Sequence, residues 1–405
     1  ENPVSMTMPP KPITYLLTLA ACAASFTQAA ALPPSATPPP ASAKLPPKNK
    51  APNFPPGTSL TAKCEYYIAH YQVGPAIKLL EQGVRSKQID PRQYFRLKVE
   101  ALLLAGNKQE AARCLDLGQS QFPDDAGLYY VRSKVYYDTK NPKASIRALN
   151  KAIELNPKMA PAYLDRARAY FIMSENLFGE DLLKKAKEDI NKALALDPNL
   201  AEAYHSKGVW LSLEQHNKEA IQYFSKAIEL EKTNHTYYTH RANSYNSMGD
   251  SISALKDLNE AVALKPRDKN VHLDRAKLLT QMKKYDDAMK DYLDALKIDP
   301  RSTTARSELT VLYQKMGRYN EAVDEYTRII KASPLDDEAY QNRGKCYQAM
   351  KKFDLALSDF NEAIELSPDL PSHYEARAKL YKVMNKVELY NKDSLMAQNL
   401  REKKP

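Results

Sequence analysis

Beyond residue 56 the small and apolar residues recur with a single period of 34. AIELNP at Ala152, AIELEK at Ala227, AVALKP at Ala261, ALKIDP at Ala295 and AIELSP at Ala363 stand in one register, the signature of a repeat array rather than of one globular core. Units begin near Gly57, Arg92, Ala126, Ala160, Ala201, His235, Lys269, Thr303 and Asp337, with a degenerate tenth from Pro371. Within each unit the pattern predicts two helices. Ala111, Ala186, Ala220, Ala254, Ala288, Ala322 and Ala356 hold the twentieth place, and Ala152, Ala193, Ala227, Ala261, Ala295 and Ala363 the twenty-seventh. Seven residues are two helical turns, so both alanines share one face of the second helix and admit a neighbour closely. Tyr136, Tyr170, Tyr245, Tyr313, Tyr347 and Tyr381 at the eleventh place, with Phe224, Leu258, Tyr292, Tyr326 and Phe360 at the twenty-fourth, are expected to fill the space between the helices. Pro123, Pro157, Pro198, Pro266, Pro300, Pro334 and Pro368 at the thirty-second place end the second helix.

One such hairpin cannot bury its apolar face alone and must stack on its neighbours. The repeat, with its DRARAY from Asp165, HRANSY from His240 and NRGKCY from Asn342, resembles the tetratricopeptide repeat. The resemblance implies an all-α, right-handed superhelical solenoid of nine to ten helix-turn-helix repeats, first helices lining a concave groove and second helices outside. Near-full repeats are expected over 57–370, then a degenerate repeat and a polar capping helix over 371–405. In the unit from Ala160, seven additional residues around Ser174 to Glu180 would lengthen each helix by about a turn and set Leu177 and Phe178 near an exposed edge.

Arg166, Arg241, Arg275, Arg343 and Arg377 at the seventh place accompany Asp189, Asp257, Asp291, Asp359 and Asp393 at the twenty-third. Where the seventh place is Lys98, Lys207 or Leu309 the other is Cys114, Tyr223 or Glu325, while Arg132 opposite Ala148 is an exception. A partly buried guanidinium needs its carboxylate, so these read as structural ion pairs between the two helices of a hairpin.

Composition separates the first 56 residues from the rest: 14 of the 27 prolines fall there, in a chain with only 11 glycines. Taking Met6 or Met8 as initiator, Lys11 followed by the apolar run ITYLLTLAA and Ala29–Ala31 reads as an export signal over 1–31. LAAC ending at Cys22 resembles a bacterial lipobox, so Cys22 is a candidate for lipidation beside the readings of an ordinary cleaved signal and an uncleaved anchor. Residues 32–56 read as a Pro-rich, extended tether. The expected location is extracytoplasmic, periplasmic or membrane-anchored through that N-terminus alone. Cys64, Cys114 and Cys346 have no metal-ligand or CxxC spacing and read as buried thiols.

Net charge of +10 favours acidic partners, yet Lys and Arg are dispersed without a dense basic run, which argues against a nucleic-acid binder. Nucleophile-elbow, zinc-protease and phosphate-loop motifs are missing, and His205 with His240 lacks a third ligand, so no catalytic residue, metal or cofactor is expected. Binding should use the first helices. Tyr130, Lys134, Tyr137, Leu164, Arg168 and Phe171 are the candidate peptide-binding patch, against the alternative that they only pad the array; Lys277 and Lys345 are candidates in the more polar later units. The carboxylate clamp that some such proteins use for chaperone tails is not supported, because Asn243 is isolated. These features predict a protein-binding scaffold of the cell envelope, its partner carrying acidic groups. The alternatives are a groove guiding an anionic polysaccharide or other acidic polymer, and an accessory subunit of an envelope enzyme.

Overall fold

A computed structural model describes residues 54–177 and 180–402, where the chain forms twenty helices and, among the described residues, no strand. The helices pair into hairpins, and these group into two compact units, the first ending at Leu264 and the second starting at Lys265. The first unit contains α1 (Leu60–Ala69), α2 (Val73–Arg85), α3 (Pro91–Leu104), α4 (Lys108–Gln121), α5 (Ala126–Asp138), α6 (Pro142–Leu155), α7 (Ala160–Leu177), α8 (Glu180–Leu196), α9 (Ala201–Leu213), α10 (Asn217–Leu230), α11 (His235–Ser247) and α12 (Ser251–Leu264). The second contains α13 (Lys269–Gln281), α14 (Tyr285–Ile298), α15 (Thr303–Lys315), α16 (Tyr319–Ala332), α17 (Asp337–Ala349), α18 (Phe353–Leu366), α19 (Pro371–Val383) and α20 (Val387–Glu402). The repeat period passes through the boundary between the units without a mark in the sequence.

Local chemistry sets the helix ends. Asp90, Asp125, Asp268, Ser302 and Asp336 accept hydrogen bonds from backbone N–H groups two or three residues on, capping α3, α5, α13, α15 and α17. In nine of the hairpins the internal turn passes through left-handed backbone at the fifteenth place. Glycine stands there in Gly106, Gly249 and Gly317, whereas Tyr71, Lys140, Gln215, Lys283, Lys351 and Asn385 adopt the same conformation despite their side chains. The alanines of the twentieth and twenty-seventh places are buried, as are Phe224, Leu258, Tyr292, Tyr326 and Phe360. Where the buried ring is phenylalanine, the facing first helix carries glycine: Gly208 lies against Phe224 and Gly344 against Phe360. A Cβ at Gly208 would stand 2.7 Å from two carbons of the Phe224 ring. Helix propensity favours Gly208→Ala by about 1 kcal/mol, but forcing a methyl into a packed core costs about 1–3 kcal/mol. Gly208→Ala is therefore expected to lose about 1 kcal/mol in urea denaturation; a stabilised variant would show that the ring moves aside freely.

The seven-residue insertion lengthens both helices, α7 to 18 residues and α8 to 17 against 13 and 14 in the next hairpin. One boundary differs from expectation. Phe54, placed in the tether by its proline neighbours, packs edge-on against Tyr66 and Tyr67 at 5.2 and 5.7 Å and so belongs to the first hairpin. The last hairpin exposes Val383, Val387, Leu389, Leu395 and Met396 beside the polar residues expected of a cap. The export segment, Cys22, the tether as far as residue 53, Phe178 and residues 403–405 lie outside the described residues, as does the Leu177 side chain.

Candidate functional site

Each of the five arginines of the seventh place makes a two-pronged pair with its aspartate. Nε and Nη2 donate to the two carboxylate oxygens at 2.8 and 2.8 Å in Arg166–Asp189, 2.7 and 2.7 Å in both Arg241–Asp257 and Arg275–Asp291, 2.9 and 2.8 Å in Arg343–Asp359, and 2.8 and 2.9 Å in Arg377–Asp393. The carboxylates are buried and the guanidinium edges half-buried. In Arg166, Arg241, Arg343 and Arg377 the remaining Nη1 reaches back to the preceding hairpin, donating to Asn150, Ser225, Thr327 and Asn361. These acceptors all hold the twenty-fifth place, a signal the sequence carried and the reading missed. Arg132, the exception, uses the same backward direction, pairing with Asp116. Tyr347, expected as a space-filler, also flanks a cation: Arg343 lies 5.9 Å from its ring centre and 5.6 Å from that of Tyr340. This machinery ties helix to helix and leaves no cation for a ligand.

The candidate patch in the first unit is closed. Leu164 and Phe171 are core residues, and Arg168, 5% exposed, donates to Asp165 at 3.0 Å and Glu202 at 3.2 Å. Lys134 donates to Glu100 at 3.0 Å and lies 4.8 Å from the centre of the Tyr130 ring. Tyr130 and Tyr137 are half-buried, and burial together with Asp165 raises the Tyr130 phenol far above its ordinary range. The physical reason is Trp210, the only tryptophan, whose indole meets Phe171 edge-on at 6.4 Å and fills the space a ligand side chain would take. The cavity left between Leu164, Arg168, Phe171, Ser206 and Trp210 is about 10 Å³, a volume for one water. Of the two readings of these residues, the geometry favours padding of the array over a peptide-binding patch: the cations are neutralised within the unit and Leu164 and Phe171 are packed.

His205 is buried and His240 half-buried against it. His205 is 1% exposed, its Nε2 lies 2.6 Å from His240 Nδ1, and the rings stack at 4.8 Å between Phe224 and Tyr237. Burial, with each ring's charged neighbours, pushes His205 well below the usual histidine range and His240 down to about 4. Both are neutral at pH 7.

The second unit differs. Its first helices carry Lys277, Val311, Lys345 and Lys379 at the ninth place, and all four are exposed. Lys277 has only a long contact of 3.9 Å to Glu308, with both side chains over a third exposed. Lys345 hydrogen-bonds to two neutral amide oxygens, Gln341 Oε1 at 2.9 Å and Asn342 Oδ1 at 3.0 Å, and Glu338 acts on it only through its charge. Burial and the nearby Lys379 lower its ammonium pKa. The sixth place explains the change: Asp274 and Glu308 supply acids in the first two hairpins, Asn342 and Ala376 none in the last two. Cations held next to one another and hydrogen-bonded to no carboxylate can attract an anionic group from outside.

Among the described residues, His272, Asp291 and Asp294 are the one cluster with ligand atoms close enough for a metal. Asp291 already binds Arg275 through both oxygens and His272 at 3.1 Å, while His272 turns its other ring nitrogen to the Pro266 carbonyl, so these donors are spent inside the hairpin. Cys64, Cys114 and Cys346 are buried free thiols, and no described helix is long and apolar enough to cross a membrane.

Sequence models of the tetratricopeptide repeat match residues 126–159, 167–200, 201–234, 240–303, 279–346 and 337–370. No curated protein matches the chain. Solved structures with a similar arrangement include a tetratricopeptide repeat protein from Parabacteroides merdae, 22% identical over 59% of this chain and 94% of that one, with a TM-score of 0.44. PilF of Pseudomonas aeruginosa is 20% identical over 52% and 92%, with a TM-score of 0.45. YrrB, described as a repeat protein with an unusual peptide-binding site, is 20% identical over 46% and 97%, with a TM-score of 0.41. The matched repeats take in more than half of the residues, and with the stacked helical hairpins and their recurring alanines they show that this chain belongs to the tetratricopeptide-repeat family.

Proposed function

We propose that this chain is a binding scaffold whose second unit holds a protein partner by its acidic groups, through the ninth-place side chains of α13, α15, α17 and α19. The observation that carries this reading is the contrast between the units: Lys134 and Arg168 are neutralised by Glu100, Asp165 and Glu202, whereas Lys345 rests on amides and Lys379 is exposed beside it. Val311, 39% exposed in the same row, adds an apolar contact that a uniformly anionic polysaccharide would not use. No constellation on this face supplies a nucleophile with a base, so the role is binding rather than catalysis. The export signal read from residues 1–31 supports an envelope location for this scaffold.

The test is retention of a partner on the immobilised full chain. Exposed charge pairs contribute about 0.2–1 kcal/mol each, so Lys345→Glu/Lys379→Glu should weaken retention about tenfold with the helical circular dichroism unchanged. Equal retention would remove this face from binding; retention of an acidic polysaccharide in place of a protein would turn the reading to polymer guidance.

A further inference from the structure

The ninth place forms a continuous row because first helices of successive hairpins touch. In the second unit Gln314 of α15 donates to the Asn342 carbonyl of α17 at 3.2 Å, and Gln341 of α17 meets His373 of α19 at 2.9 Å. In the first unit two ninth-place side chains, Glu100 and Lys134, bond directly across one repeat. Helices packed in this way stand about 8–10 Å apart. An extended chain advances about 3.3 Å per residue, so three residues of it span one hairpin step. The row therefore offers a fixed series of contacts at the pitch of every third residue in a strand laid across the helices: cation at Lys277, apolar side chain at Val311, cations at Lys345 and Lys379.

We infer that the second unit reads an extended acidic segment in register, accepting a carboxylate at Lys277, an apolar side chain at Val311 and carboxylates at Lys345 and Lys379. This rests on the binding face proposed above and adds the chemistry and spacing of what binds there. The preferred segment carries acid, apolar, acid and acid residues at every third position, in either chain direction. Lys345 and Lys379 form the stronger end. Lys277 shares its environment with Glu308 and Asp274, whose acids compete with the ligand, while the amides of Gln341 and Asn342 orient the Lys345 ammonium and Glu338 acts on it only through its charge. Val311 fixes the phase: a segment shifted by one residue would set a polar side chain on it or bring the apolar residue against a lysine.

Three labelled peptides of identical composition test this by fluorescence anisotropy with the full chain at physiological salt. One has the acid-x-x-apolar-x-x-acid-x-x-acid order, one its reverse, and one its three acids contiguous. Expected is that one spaced peptide binds about tenfold more tightly than the contiguous one. Lys345→Gln/Lys379→Gln should abolish that preference, and Val311→Asp should weaken the spaced peptide while leaving the contiguous one unchanged. Equal binding of all three peptides, still lost on Lys345→Gln/Lys379→Gln, would overturn the register and leave the acidic-partner reading standing. Binding indifferent to Lys345 and Lys379 would overturn both.

Discussion

Asp291→Ala is expected to destabilise the second unit by about 3 kcal/mol, more than any exposed substitution on it. The Asp291 carboxylate is 2% exposed and holds three donors: Arg275 Nε and Nη2 at 2.7 Å each and the facing His272 ring nitrogen at 3.1 Å. Truncation leaves a half-buried guanidinium without counter-charge and an imidazole without its partner, and breaking such a pair from one side costs about 3–5 kcal/mol. The lower figure applies because Arg275 keeps some access to water. Removing both charges with apolar residues of similar volume, as in Arg275→Met/Asp291→Leu, should recover most of the loss, because the cost comes from the uncompensated charge. Urea denaturation followed by circular dichroism measures both variants. A double variant as unstable as Asp291→Ala would show that the pair itself contributes net stability.

Mild acid is expected to loosen the hairpins of α9 and α11 before the rest of the first unit. His240 titrates near 4 in the folded chain against an ordinary value of 6.5, and His205 lies lower still than its ordinary value, chiefly because burial penalises their charged forms. Arg168 on α7 adds repulsion to His205, and His235 on α11 adds repulsion to His240. The unfolded chain takes up these protons first, so the full stability is present above about pH 6.5 and falls as pH drops toward 4. A depression from 6.5 to about 4 corresponds to about 3 kcal/mol for His240. Amide hydrogen exchange in α9 and α11 should therefore accelerate between pH 6.5 and 4 beyond its intrinsic pH dependence, and His205→Phe/His240→Phe should flatten the change. An unchanged acid response in the double variant would assign the effect to carboxylates elsewhere.

How far the site could be read in advance depends on whether a residue's partner shares its repeat register. Arg343 and Asp359 are 16 residues apart in one hairpin and vary together along the chain, so their pairing was legible from spacing. The backward bond from Arg343 to Thr327 follows the same logic at the twenty-fifth place and went unread, because Asn, Ser, Thr and Asp share that role without sharing identity. Arg168 and Lys345 show the harder case. Both are ninth-place cations on first helices, yet one is buried between Asp165 and Glu202 and the other is exposed on amides. Their difference comes from side chains a full repeat away, including Trp210 and Glu202, whose effect has no periodic trace.

By itself the sequence determined the helices, the hairpins, their capped ends and the arginine–aspartate pairs. All are set by contacts within one repeat or by a pattern copied from repeat to repeat. Tertiary structure alone decided the two-unit division, the closed aromatic face of the first unit, the stack of His205 on His240 and the open cations of the second. Burial and counter-charge at one position depend on what neighbouring hairpins bring against it, and a shared period does not carry that information.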